Sequence, residues 1–364
     1  MQSDPQLVSK AALAAARIDG TPYGFPWGSN HPTTSQRICV AGITAVIAAL
    51  ALSYRLSTGH LTDFHQVLFG ARAMLEGRNP YELVGHGREF VADFGLLYPA
   101  TSFLMVLPLA FITATAATIV FVAVSVFLLT YAVATGSWHR LPMLGSAAFA
   151  DTVISGQWSA VLVAALFLPA LAVFVPAKPQ LGAAVLAGTR SRFAWLVATL
   201  SGVVLVSISL YFLPDWPADW FRLIQADTSH MKAAVTQPFG AAVLLLLLRW
   251  KRPEAWVVLI TACLPQTLMW YSFLVLLAFP ATYREACVLS LVSSAGFLIA
   301  QWIAAVNPVE PRTGTILWTV VVITTFLPVS IAILRRPNEG ELPAWLQQLT
   351  NYPPYSRRSL PGAR

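Results

Sequence analysis

The sequence is short of charge. Asp, Glu, Lys and Arg make up only 11% of its residues, against about 25% in soluble globular domains. So few charges cannot cover the surface of a soluble protein of 364 residues. Other absences narrow the chemistry. There is no Gly-rich phosphate loop, no clustered His/Cys set with metal-ligand spacing and no defensible Ser/His/Asp order. No Asp-x-Asp triplet occurs, and no soluble α/β domain is present to hold a nucleotide sugar. Cys39, Cys263 and Cys287 show no paired spacing, which argues against a disulfide framework. They lie in apolar stretches and are read as small buried apolar residues. The positive residues behind the net charge of +7 are scattered at segment ends, so nucleic acid is not an expected partner. Nothing calls for a metal or a cofactor.

What is present is apolar sequence in long runs. Hydrophobic residues make up 57% of the chain. Ile38–Leu56, Ala114–Ala134, Phe193–Leu213, Ala286–Val306 and Thr313–Leu334 stand out. The last four carry no charged residue, and the first carries only Arg55, next to its end. Each is about as long as the ~20 residues that cross hydrocarbon as a helix. Backbone groups in lipid must be paired internally, so these runs are expected to be helices; a β-barrel would show short alternating segments instead. The expected fold class is an all-α polytopic membrane protein of about ten transmembrane helices.

Charge placement sets the expected topology. Residues 1–36 read as a cytoplasmic tail with a short helix at Leu7–Ile18, and the first apolar run begins too late for a secretory signal. A membrane domain over 37–336 and a cytoplasmic tail over 337–364 follow. The positive-inside rule puts Lys10, Arg17, Arg37, Arg190, Arg192, Arg249, Lys251, Arg252, Arg284, Arg335 and Arg336 on the cytoplasmic side. The 58–97 loop, the 214–232 loop and the 307–312 turn then face outward, with an even number of crossings. The expected location is a cell membrane, best a bacterial cytoplasmic membrane. Two apolar regions do not divide into full spans. Residues 141–189 are broken by Asp151, Gly156, Gln157, Pro169, Pro176, Lys178 and Pro179, and residues 255–282 by Pro265. Broken helices are tolerated where protein shields them or a wet cavity lies beside them, so both regions are expected to build an internal site.

The first outer loop holds the leading candidate. Phe64, Val67, Leu68, Ala71, Met74 and Leu75 recur at helical spacing, with His65, Gln66, Arg72 and Glu76 between them. This predicts an amphipathic helix on the outer membrane surface, ended by Gly77 and Asn79-Pro80. Asp63 starts it. An acid there fits a helix N-cap first of all, and its position also suits a general base taking a proton from an attacking hydroxyl. Asp151 is an acid at membrane depth, which marks either a substrate site or a structural hydrogen bond. Lys178 is a lone cation in apolar sequence. It suits a phosphate contact, or it snorkels to the interface. Gln157 sits in a Gly-Gln-Trp turn, suited to binding a hydroxyl or phosphate or to breaking a helix. Asp215, Asp219 and the tryptophans of the 214–232 loop suit either an acceptor sugar or an interfacial aromatic belt. Asp227 and His230 follow in the same loop, His230 reading as a solvated residue.

An ordered set of short motifs carries a resemblance. Asp63 follows the first span, then come Ala71-Arg72-Ala73-Met74-Leu75-Glu76-Gly77-Arg78-Asn79-Pro80-Tyr81, Tyr98-Pro99 and Leu107-Pro108-Leu109-Ala110. Gly156-Gln157-Trp158 and Lys178-Pro179-Gln180 complete it. Over about residues 38–290 the chain resembles glycosyltransferase family 87 of the GT-C superfamily. These are polytopic enzymes that take a sugar, mannose among them, from a polyprenyl phosphate. The resemblance implies a GT-C-type bundle with an outer-face amphipathic helix. It also implies Asp63 as catalytic base, a polyprenyl-phosphate sugar as donor, a lipid or glycan as acceptor, membrane lipids as surroundings, and inversion at the anomeric carbon. A departing phosphate needs fixed positive charge. Lys178 is the first candidate, then Arg72 and Arg78, although Arg72 could instead pair with Glu76 four residues on. Gln157, His65, Tyr98 and Asp151 are the substrate-binding candidates. The chain departs from the family twice. Only 20 residues separate Gln157 from Lys178, where many relatives fit two spans, and Trp270 and Tyr271 stand where many carry a histidine after the proline matching Pro265. A transporter or lipid flippase is the competing expectation, and a noncatalytic scaffold ranks last.

Overall fold

The computed structural model describes residues 31–92, 95–226, 231–306 and 311–339. Lys10, Arg17, the Leu7–Ile18 helix, Asp227, His230, most of the 307–312 turn and most of the C-terminal tail fall outside the described residues.

The principal α-helices in chain order are α1 (Thr34–Ser57), α2 (Asp63–Leu75), α3 (Ala100–Val106), α4 (Ala114–Val133), α5 (Ala147–Ile154), α6 (Ser159–Ala164) and α7 (Pro179–Gly188). They continue as α8 (Arg192–Phe212), α9 (Trp216–Ala226), α10 (Pro253–Cys263), α11 (Tyr283–Val306), α12 (Pro311–Val321) and α13 (Leu327–Leu334). The five long apolar runs all became helix. Five helices are long and apolar enough to cross a bilayer: α1, α4, α8, α11 and Gly314–Leu334, in which a single π turn at Val322–Phe326 joins α12 to α13. The chain is therefore a multi-pass membrane protein. The remaining apolar sequence forms shorter pieces rather than further full spans. Residues 141–189 become α5, α6, the 3₁₀ helix Pro169–Ala177 and α7. Residues 255–282 lie in α10, strand β2 (Gln266–Thr267) and the 3₁₀ helix Trp270–Ala278. Antiparallel to β2 lies β1 (Met231–Lys232), a two-residue exception to the all-α expectation.

Breaking a helix inside apolar surroundings frees backbone groups that need partners. Side chains supply several. Thr101 Oγ1 donates to Pro176 O at 2.6 Å, and Ser294 Oγ accepts from Ala147 N at 2.9 Å.

Two expectations need correction. The amphipathic helix exists as α2, but it does not lie on a membrane surface with one face free. Phe64, His65, Val67, Leu68, Gly70, Ala71, Ala73 and Met74 are all buried. Small residues let it sink into the protein: a Cβ on Gly70 would meet the Phe103 ring at 2.9 Å, and Phe64 stacks on Phe121 of α4. The cysteines are not uniformly buried either. Cys39 and Cys263 are exposed and Cys287 is intermediate, because they fall on outward helix faces.

Arg249, Arg252 and Arg336 gather at one end of their helices. Arg249 donates to Leu334 O and Arg336 O, and Arg252 to Pro337 O. Glu254 pairs with Arg252 and Arg336, and Arg336 also pairs with Glu285. Helix lengths then place the interior. At 1.5 Å per residue, the 21 residues of α8 run about 31 Å. The 10 residues of α7 and the 11 of α10 run only about 15–17 Å. α10 rises from Arg252 to Leu264. α7 descends from Lys178 to Gly188, beside Val257 and Phe279, whose carbonyl accepts from Arg336. Lys178 and Leu264 therefore lie about halfway along α8, measured from the arginine-rich end.

Candidate active site

A cavity of about 500 Å³ opens between these short helices. Asp63, Gln66, Tyr98, Lys178, Gln180, Thr267 and Tyr271 are the polar residues among its lining, and Leu97, Pro99, Ala177, Trp220, Ile224, Leu264 and Met269 supply much of its apolar wall. Both broken regions contribute residues to the lining of this cavity.

Asp63 is not the N-cap of α2. Thr62 holds that position, and Asp63 is the first helical residue. Its backbone N–H donates to Ser155 O at 3.0 Å, which fastens the start of α2 to the turn after α5. That turn needs glycine. Gly156 has φ +62°, and a Cβ there would meet Phe64 Cβ and Thr62 Oγ1 at 3.0 Å. The turn delivers Gln157, which is buried, into the centre of the site. Gly156→Ala is accordingly expected to cost about 1–3 kcal/mol of stability. It should also displace Gln157, read as a lower thermal midpoint together with lost site function.

The side-chain amide of Gln157 organises the polar groups. Its Oε1 accepts from Lys178 Nζ at 3.1 Å and from Tyr98 OH at 3.0 Å. Its Nε2 donates to Asp63 Oδ2. The opposite amide orientation would set NH₂ against an ammonium and an oxygen against a carboxylate, so these neighbours fix it. Tyr271 OH also donates to Asp63 Oδ2, at 3.1 Å. Both bonds fall on the same oxygen, and among the described residues Oδ1 accepts no side-chain bond. Among those residues Asp63 and Lys178 form no direct ion pair; Gln157 and Tyr271 stand between them.

Burial pushes the Asp63 carboxyl above the usual aspartate range, and the charge of Asp151 adds to this. Lys178 is the strongest opposing influence, followed by the Tyr271 and Gln157 hydrogen bonds. The N-terminal end of α2 also favours the anion. The result is a carboxylate that is more basic than usual, with one oxygen pinned and one open.

No protein-family model, curated protein or solved structure matches this chain. The site is therefore read from its own geometry.

The structure brings together Asp63, Gln157, Tyr98 and Lys178 and leaves other candidates outside. Arg72 is spent on backbone: it donates to Ala110 O at 3.1 Å and Ile112 O at 2.6 Å, not to Glu76 and not into the cavity. Arg78 pairs with Glu89 and Glu76 on the surface. His65 lies behind the site. Its Nδ1 accepts from Thr62 N at 3.3 Å and contacts Thr62 Oγ1 at 2.8 Å. Burial and nearby Arg72 lower its pKa, consistent with a neutral ring accepting at Nδ1. Asp151 takes its structural role. Its Oδ2 accepts from Tyr271 N at 2.9 Å and its Oδ1 from Ser155 Oγ at 3.2 Å. In the described part of the 214–232 loop, Asp219 and Trp220 both have partners within the protein. Asp219 accepts from Asn79 Nδ2 at 2.8 Å and Trp220 Nε1 donates to Leu97 O at 2.9 Å. These bonds moor α9 so that Trp220 and Ile224 wall the cavity.

Four polar lining residues escaped the sequence reading as site residues: Tyr271, Gln66, Gln180 and Thr267. Gln66 lies three residues after Asp63, so helical spacing could have placed it on the same face. Among the described residues no three His, Cys, Asp or Glu side chains gather closely enough to hold a metal ion.

Proposed function

We propose that this protein is an inverting membrane glycosyltransferase. It moves a hexose, with mannose favoured by the resemblance, from a polyprenyl-phosphate sugar to a lipid or glycan acceptor on the extracytoplasmic face. The observation that carries the reading is that Asp63 and Lys178 line one cavity and are bridged by the buried Gln157 amide. Asp63 Oδ1 is open to accept a proton from an acceptor hydroxyl, and burial makes the carboxylate a stronger base than an ordinary aspartate. The hydroxyl oxygen forms a bond to the anomeric carbon as the bond to phosphate oxygen breaks. The electron pair leaves on the phosphate, and Lys178 supplies the charge that receives it. One displacement gives one inversion. A phosphodiester donor carries one negative charge, which matches the single cation among the described residues of the cavity lining.

The remaining features support sidedness and donor type. The arginine-rich cluster lies at the ends of α7 and α10 away from cavity-lining Lys178 and Leu264, so the positive-inside rule puts the cavity toward the outer side. A floor about halfway down a 31 Å helix brings the reacting groups to the depth of lipid chains, where a lipid-linked donor can present its head group. A transporter also places its site at mid-depth between broken helices. Catalysis separates the two readings, since transport leaves the sugar–phosphate bond intact.

The test is transfer. Purified protein in liposomes, given polyprenyl-phosphate hexose labelled in the sugar and a crude lipid or glycan acceptor fraction, is expected to move label into product and release polyprenyl phosphate. Movement of intact donor across the bilayer without bond cleavage would favour the transporter. Because Asp63 must be ionised, the rate is expected to rise with pH along a limb whose midpoint lies above the ordinary aspartate value of 3.8.

A further inference from the structure

Tyr271 lies in a 3₁₀ stretch, Trp270–Ala278, whose residues are otherwise apolar apart from Ser272. It makes three contacts that no packing role requires. Its hydroxyl donates to Asp63 Oδ2 at 3.1 Å. Its ring lies under Lys178, with Nζ 4.4 Å from the centroid. Its backbone N–H donates to Asp151 Oδ2 at 2.9 Å. One residue thus touches the acid and the cation of the cavity and is itself fixed by a second, half-buried acid.

The consequence is a matter of spacing. A carboxylate and an ammonium left side by side in a poorly solvated cavity attract strongly and would close into a direct pair. Each would then be occupied by the other and not by substrate. Here they are held apart, and each is compensated by a neutral group. The phenol and the Gln157 amide serve Asp63; the ring face and the same amide serve Lys178. Both donors fall on Oδ2, which directs Oδ1 toward the open side.

Resting on the transfer reaction above, we propose that Tyr271 is a positioning residue. It holds Asp63 so that one oxygen meets the acceptor hydroxyl, and it holds Lys178 away from that carboxylate and toward the leaving phosphate, with Asp151 as its anchor. The charged and titratable groups that influence Asp63 are Lys178, Asp151, Tyr271 and Tyr98. Of these, Tyr271 can lose its hydroxyl while keeping its shape.

Two variants separate the contacts. Tyr271→Phe keeps the ring under Lys178 and removes the bond to Asp63. Tyr271→Leu removes both. Two readouts are needed. The first is infrared titration of the protonated carboxyl band in purified protein, assigned by its loss in Asp63→Asn. The second is the pH dependence of kcat/KM with labelled lipid-phosphate sugar. In Tyr271→Phe the band midpoint and the acid limb should both move up by about one pH unit. kcat should fall about ten-fold with little change in donor KM. In Tyr271→Leu donor KM should rise several-fold as well. A Tyr271→Phe protein with the wild-type band midpoint and acid limb would overturn the proposal. If wild-type protein transfers no sugar, the glycosyltransferase reading fails, and the infrared titration still decides whether Tyr271 holds Asp63.

Discussion

Replacing Asp63 by Asn is expected to lower the rate of sugar transfer by about 10²–10⁴-fold, the usual contribution of a positioned general base. Asn keeps the size of the side chain and retains an oxygen for the Gln157 amide and the Tyr271 hydroxyl, so the cavity should stay formed. Donor binding should change little, because Lys178 and the apolar walls are untouched. The measurement is initial rate with labelled donor, alongside thermal unfolding in detergent. A loss of less than ten-fold in a folded variant would remove Asp63 as the base.

The second large effect belongs to Lys178. Lys178→Met keeps the length of the side chain and removes its charge. Leaving-group stabilisation by one well-placed group is worth about 10²–10³ in rate, and a loss of that size is expected. The pH profile should move too, with a definite sign. Asp63 already lies above the ordinary aspartate range because it is buried, and Lys178 is the largest influence pulling it back down. Without the lysine the carboxyl is pushed further up, so activity is lost at a higher pH as the solution is acidified. If Lys178 only snorkelled, neither rate nor pH profile would respond.

The fold was legible where composition does the work. An uninterrupted run such as Phe193–Leu213 has one way to satisfy its backbone in lipid, and it is helix from Arg192 to Phe212. The broken regions were legible for the same reason in reverse. Proline, glycine and polar residues at 151, 156, 157, 176, 178 and 179 disrupt a span, and short helices bordering a cavity are the outcome. Gln157 and Lys178 were reachable because polar groups in apolar sequence stand out, Asp63 because it starts an amphipathic helix, and Tyr98 through the motifs that carry the resemblance.

Other features depend on tertiary contacts that spacing does not encode. Arg72 is four residues from Glu76, yet carbonyls at 110 and 112, brought in by the chain after α3, compete successfully for it. Arg78 finds Glu89, eleven residues on, across a surface loop. α2 reads as a surface helix from its alternating polar residues. It is buried because Gly70, Ala71 and Ala73 allow close packing and because His65 is satisfied within its own first turn. Tyr271 carries no charge and sits in an apolar run, so its sequence neighbourhood does not distinguish it from a packed core tyrosine. Only the fold brings it, from 208 residues away, against Asp63.

The most direct test is the stereochemistry and Asp63 dependence of the product. Purified wild-type and Asp63→Asn proteins in liposomes would receive a lipid-phosphate hexose of defined anomeric configuration, and the new glycosidic linkage would be assigned by NMR. A product of inverted configuration, formed by wild type and nearly absent with Asp63→Asn, is the predicted result. Retained configuration, or equal product from both proteins, would contradict a single displacement driven by that carboxylate.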